Sequence, residues 1–159
     1  MTNWAGLAEH APDADLREAI LAGASAGKPW LPSVPTVHWP EGAPSVIDVG
    51  AGLGRNVPWL AHMHPRVVAW DLPEMGRRAR HSDWWPVGVV WNDEPLGVTL
   101  RRFQPEVAHC CLVLQHLPLA RLCTYGTLLG AHGVHKVYVY GRARSDDADA
   151  PTFGTFAAA

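Results

Sequence analysis

From Ser45 onward the chain alternates short apolar runs with stretches of helical periodicity. Ser45-Val-Ile-Asp-Val49, Arg66-Val-Val-Ala-Trp70, Val87-Gly-Val-Val-Trp91, Val107 to Leu114 and Val134 to Tyr140 each have the length and β-branched content of a strand. Between them Asn56 to His64, Pro73 to His81, Pro95 to Phe103 and Pro118 to Leu129 read as helices, with Pro73 suited to a first helical turn. Five short strands alternating with four helices predict an α/β fold, a doubly wound and mainly parallel sheet. The strands are almost continuously apolar, as expected of strands covered by helices on both faces.

The flanks read differently. Asp13 or Asp15 is a candidate N-cap for a helix carrying Leu16, Ile20 and Leu21, which stops in the Gly- and Ala-rich run ending at Pro29. Five prolines from Pro29 to Pro44 then predict an extended connector, which also holds Trp30, His38 and Trp39. Residues 142–159 are polar, then small and repetitive, and read as a flexible tail. The expected organisation is therefore a helical segment and connector (1–44), an α/β core (45–141) and a tail (142–159).

Composition narrows the function classes. At 159 residues, 48% hydrophobic and 18% charged, the chain suits one globular domain and excludes disorder and coiled coil. No run approaches a membrane span, and the first residues lack a basic then apolar leader pattern, so a cytoplasmic protein is expected. Cys110, Cys111 and Cys123 form neither a disulfide framework nor a metal motif. His62-x-His64 and His132-x-x-His135 lack partners at ligand spacing, so no metal is expected. Arg77-Arg78 with Arg80, and Arg101-Arg102, lie on helices where charge forms a solvated face. With a net charge of -2, nucleic acid is not an expected partner.

Ligands of open α/β sheets bind beyond the carboxyl ends of the strands, so chemistry is sought there. The first strand runs into Asp48-Val-Gly50-Ala-Gly52-Leu-Gly54-Arg55-Asn56. Glycines at every second position let the backbone turn sharply and approach a ligand closely. A dinucleotide fingerprint would need glycine where Arg55 stands, and no Lys-Ser/Thr follows for a phosphate loop. Asp71, 23 positions after Asp48, ends the second strand; it is placed either to accept from two ribose hydroxyls or to cap the next helix. Asn92 and Asp93 end the third strand and suit either a purine amine or an Asx turn. The fourth ends in Leu114-Gln115-His116, where His116 is a candidate general base or a structural histidine.

Together these strand ends resemble the class I S-adenosylmethionine (SAM)-dependent methyltransferases over roughly residues 45 to 140. Asp48 with the three glycines is similar to their first motif, and Val68-Ala-Trp-Asp71-Leu72 to their second-strand acidic tip. Leu112 to Pro118 is similar to the segment after the fourth strand in many small-molecule methyltransferases. The resemblance implies a Rossmann-like sheet of five strands in the order 3-2-1-4-5. It also implies SAM as cofactor. Gly50, Gly52 and Gly54, with Arg55 and Asn56 beyond them, would border its methionine and ribose part, and Asp48 would orient its amino group. Asp71 and Leu72 would meet the ribose, and Asn92 and Asp93 the adenine. Leu114 and Gln115 would face the departing methyl.

Two features set the chain apart from the family pattern. The family core continues into a sixth and a seventh strand, the last antiparallel, whereas this chain reads as a minimal form whose sheet ends at the fifth. The Asn/Asp-Pro-Pro-Tyr/Phe segment of amino-methylating DNA enzymes is absent from the fourth strand. The implied function is methyl transfer to a small-molecule acceptor, with His116 or His38 as base where the acceptor must lose a proton. The alternative is a SAM-binding protein without methyl transfer: a sensor, a partner subunit or an enzyme cleaving SAM. The expected fifth-strand edge would also need cover, which a homo-oligomer could supply.

Overall fold

In a computed structural model the chain is described at residues 43–54, 56–79, 87–111, 117–142 and 151–157. Ten elements follow one another: β1 (Ser45–Val49), α1 (Val57–Met63), β2 (Arg66–Trp70), α2 (Pro73–Ala79), β3 (Val90–Asn92), α3 (Leu96–Phe103), β4 (Val107–Cys111), α4 (Leu119–Ala131), β5 (Lys136–Arg142) and β6 (Pro151–Ala157). They build one sheet in the order β3-β2-β1-β4-β5-β6. β1 pairs in parallel with β2 and β4, β2 with β3, and β4 with β5. The expected parallel order 3-2-1-4-5 is thus present.

Side-chain alternation along the strands divides the core into two layers. Ile47 and Val49 of β1, Val68 of β2, and Ala108 and Cys110 of β4 pack with Leu96 and Leu100 of α3 and Leu129 of α4. On the other face Val46, Val67, Val107 and Tyr138 pack with Leu60 of α1, against which Trp59 also rests. The sheet is therefore wound on both sides. Val46, Ile47, Val49 and Val107 are fully buried, and burial of such a side chain stabilises by about 1.5–3 kcal/mol. β1 lies between β2 and β4, so the chain reverses its direction of winding beside it. The crevice beyond the carboxyl ends of β1 and β4 is the place where this architecture binds ligands.

Three expectations need correction. The sheet has six strands, because Pro151–Ala157 pairs antiparallel with β5, from Lys136↔Ala157 to Arg142↔Pro151. The segment expected to be a loose tail contains Thr152-Phe153 and Thr155-Phe156, β-formers that outweigh its small residues once a strand edge is available to pair with. β5 is accordingly not an edge; β6 is the outer strand on that side of the sheet. The third strand is also shorter than Val87 to Trp91. Val87 and Gly88 form a turn, with Gly88 at φ 88°, which takes the backbone out of extended geometry before β3 begins. The N-terminal helix, the connector with Trp30, His38 and Trp39, and the end of the fourth strand lie outside the described residues.

Candidate functional site

The turn after β1 is built as its glycines require. Gly50, Gly52 and Gly54 all have left-handed φ, at 76°, 60° and 82°, a region that costs an L-residue about 1–2 kcal/mol. Their amides are all hydrogen-bonded, to β2 or within the turn. The N–H groups of Gly50 and Ala51 donate to the Trp70 carbonyl at 2.8 and 3.1 Å, and that of Gly54 to the Ala51 carbonyl at 2.8 Å. The glycines thus shape the loop and leave its surface without Cβ atoms. Asn56 follows, buried, with an Oδ1 that meets no partner. Arg55 lies outside the described residues.

The Gly52 amide is claimed from the neighbouring strand. Its N–H donates to Oδ2 of Asp71 at 2.6 Å, while the Leu72 N–H donates to Oδ1 at 2.7 Å. Asp71 therefore clasps the glycine turn to the tip of β2. A carboxylate has about four acceptor positions. Two are occupied here, leaving one on each oxygen. Burial pushes the Asp71 carboxyl from its ordinary 3.8 up to about 6, against the pull of the Leu72 and Gly52 hydrogen bonds; the nearby Asp48 charge adds to the rise. Leu72 is exposed beside it.

At the tip of β3 the Asn92 side chain is turned inward. Its Oδ1 accepts from the Glu94 N–H at 3.0 Å and from Thr99 Oγ1 at 2.7 Å, and its Nδ2 donates to Glu94 Oε2 at 3.1 Å. This Asx turn anchors α3 to the sheet, and it engages both atoms of the amide that the resemblance would place against adenine. Asp93 beside it is half-exposed.

β1 and β4 contribute a buried pair that sequence reasoning missed. Asp48 and His109 are register partners across the two strands, 1% and 0% exposed. His109 Nδ1 lies 2.7 Å from Asp48 Oδ1. An ionised carboxylate only accepts, so the ring proton is assigned to Nδ1 and donates. Trp59 of α1 covers the imidazole with ring centroids 6.2 Å apart. The second oxygen, Asp48 Oδ2, is buried with no hydrogen-bond partner. The signal was available: a histidine in an otherwise apolar strand and an aspartate in the strand beside it.

A second missed feature flanks Asp71. Trp70, at the end of β2, donates from Nε1 to the Glu94 carbonyl at 2.7 Å and packs edge-on against Tyr125 of α4, with centroids 5.7 Å apart. Burial holds the Tyr125 phenol above its ordinary pKa; the charge of Arg121 opposes the rise and that of Asp71 adds to it. The tips of β1, β2 and β3 and the middle of α4 therefore meet around Asp71. Leu114, Gln115 and His116 lie outside the described residues. Among those described, no group of three His, Cys, Asp or Glu side chains is arranged to hold a metal ion, and no helix is long and apolar enough to cross a membrane.

No protein-family model matches the chain, and no curated protein does. Solved structures do match in fold. The methyltransferase domain of a bacterial CtHen1 aligns with a TM-score of 0.54 and 21% identity, over 64% of this chain and 58% of that one. Human N-acetylserotonin methyltransferase in complex with SAM aligns at 0.53 and 16%, over 68% and 32%. SAM-bound CalS10, an amino pentose methyltransferase from Micromonospora echinaspora, aligns at 0.52 and 20%, over 89% and 52%. The chain spans between 32% and 58% of the lengths of these three structures. With its sheet order β3-β2-β1-β4-β5 wound on both sides, the chain is similar in fold to these methyltransferase structures.

Proposed function

We propose that the chain binds SAM at the carboxyl ends of β1, β2 and β3 and transfers its methyl group to a small-molecule acceptor. The observation that carries this reading is the Asp71 clasp. A half-buried carboxylate holds the left-handed glycine turn through Gly52 and keeps one acceptor position on each oxygen. Two such positions on one rigid group match a vicinal diol, the feature a ribose presents. The buried Asp48 oxygen without a partner is a second point of fit, because it calls for a donor that SAM carries as an ammonium. The matched N-acetylserotonin and amino pentose enzymes are structures with SAM bound, which supports the same cofactor here and a small acceptor.

When bound, SAM supplies an electrophilic methyl on a sulfonium, which leaves in an in-line displacement. The chain's part is positioning and a polar surround. Asp71 and Leu72 would hold the ribose and Asp93 would face the adenine edge. Asn92 would act through the Asx turn that places Asp93. Gly50, Gly52, Gly54, Arg55 and Asn56 would border the amino-acid arm, and Leu114 and Gln115 the methyl. His116 would take the proton of an acceptor that must lose one.

Calorimetric titration with SAM and S-adenosylhomocysteine (SAH), on the intact chain and on Asp71→Ala, tests the cofactor site. The expected result is micromolar binding that the substitution weakens by roughly 1.5–3 kcal/mol, the worth of hydrogen bonds to a charged group. Absence of binding by the intact chain overturns the reading. SAH formed from SAM in the presence of an acceptor marks methyl transfer. Homoserine lactone with methylthioadenosine would instead mark the alternative, cleavage of SAM.

A further inference from the structure

We infer that His109 is a positioning residue for the cofactor: it fixes the Asp48 carboxylate so that the second oxygen receives the ammonium of the amino-acid arm, directly or through one water. This rests on the SAM reading above.

The argument begins with the desolvation of Asp48. At 1% exposure an ionised carboxylate has lost its water, and the loss is tolerable only when both oxygens are satisfied. His109 satisfies one, at 2.7 Å, from a position fixed by the β1–β4 ladder. The imidazole cannot swing away, because it is fully buried and Trp59 lies against it. The geometry of Oδ1 is therefore rigid, and that of Oδ2 with it, since the carboxyl group is planar. Oδ2 remains without a partner.

Charge decides what kind of partner it takes. Asp71 is close enough for the Asp48 charge to raise its pKa, so two carboxylates lie near one another. His64, near enough to His109 for the two to interact, is buried at the end of α1 with its pKa lowered, chiefly by burial. Its Nδ1 is 2.7 Å from the Ala43 carbonyl, to which it donates. Cys110, the next residue of β4, is buried with its thiol pushed up, so it stays neutral and adds no charge. A cationic donor is what this surround favours. SAM and SAH carry one on the amino-acid arm, and methylthioadenosine lacks that arm while keeping the nucleoside.

The test compares His109→Asn with His109→Gln, each titrated with SAH and with methylthioadenosine. An asparagine amide nitrogen falls near the imidazole Nδ1, and a glutamine nitrogen near Nε2. His109→Asn should therefore bind SAH within about threefold of the unsubstituted chain. His109→Gln should lose roughly tenfold or more, one hydrogen bond to a charged group. Methylthioadenosine should bind equally to all three. Parallel loss of both ligands in both variants would reduce the pair to a structural role and overturn the inference while leaving SAM binding intact. So would two variants that bind SAH like the unsubstituted chain. Failure of the unsubstituted chain to bind SAH overturns both readings. Should His109→Gln not fold, the ring-proton resonances of His109 in the unsubstituted chain decide: SAH must shift them and methylthioadenosine must not, and equal shifts overturn the inference.

Discussion

Asp71 carries two opposed demands, and its protonation separates them. Its pKa is raised from 3.8 to about 6 by burial, so the folded chain binds more protons than the unfolded chain between those values. The corresponding contribution to stability is full below about pH 4 and is lost as the pH rises through 6. Ligand binding has the opposite sign, since the ionised carboxylate accepts more strongly from hydroxyl groups. SAH affinity is therefore expected to fall as the pH drops from 7 to 5, while the Asp71 contribution to stability grows. Asp71→Asn should flatten both slopes. Titration calorimetry and thermal melts over that range read them, and a slope in affinity that survives in Asp71→Asn would assign it to another group. Residues differed in how far the sequence revealed them. Asp71 and the three glycines were legible because a left-handed turn and a strand-tip acid leave a pattern in one dimension. The Asp48–His109 contact was not, because it depends on the register between two strands separated by 61 positions.

Among the elements, β3 and α3 show how a polar residue at a strand tip serves the fold. Asn92 is 6% exposed and its amide ties the tip of β3 to Glu94 and to Thr99 of α3. Asn92→Ala would leave the buried Thr99 hydroxyl with weaker carbonyl contacts at 3.2 and 3.4 Å to Glu94 and Pro95. Loss of a hydrogen bond of this kind costs about 0.5–1.5 kcal/mol, and a buried hydroxyl left poorly satisfied costs more. Urea denaturation should show that loss, and SAH affinity should fall only as far as Asp93 and Glu94 move. A large affinity loss at unchanged stability would mean that the amide touches the ligand after all. The sequence left the ligand contact and the Asx turn both open at Asn92, since each uses the same residue at the same strand end. The shortened start of β3 was hidden for a related reason: Gly88 tolerates strand and left-handed backbone alike, and the observed φ of 88° is set by the surrounding chain.

For the whole molecule, the sheet order was legible from alternation, and the sixth strand was not. Parallel strands buried on both faces show themselves as apolar runs, whereas an antiparallel strand added at the rim needs only backbone partners. Its seven pairs with β5 occupy the ladder that β5 would otherwise present to solvent, and a bare edge of that length is a template for pairing with another chain. β6 becomes the outer strand in its place, but it begins at Pro151 and contains Gly154 where β5 reads Val137-Tyr-Val-Tyr140, so it is expected to be the poorer template for self-association. It is expected to have no part in binding, because β5 and β4 separate it from β1. Deleting residues 151–157 should produce concentration-dependent dimers or larger species in light scattering, while SAH affinity stays within about twofold, a change of a few tenths of a kcal/mol. A deleted chain that stays monomeric at high concentration would show that β5 needs no cover. One that loses SAH would show that the outer strand holds β4 in register with β1, and through β4 the Asp48–His109 contact.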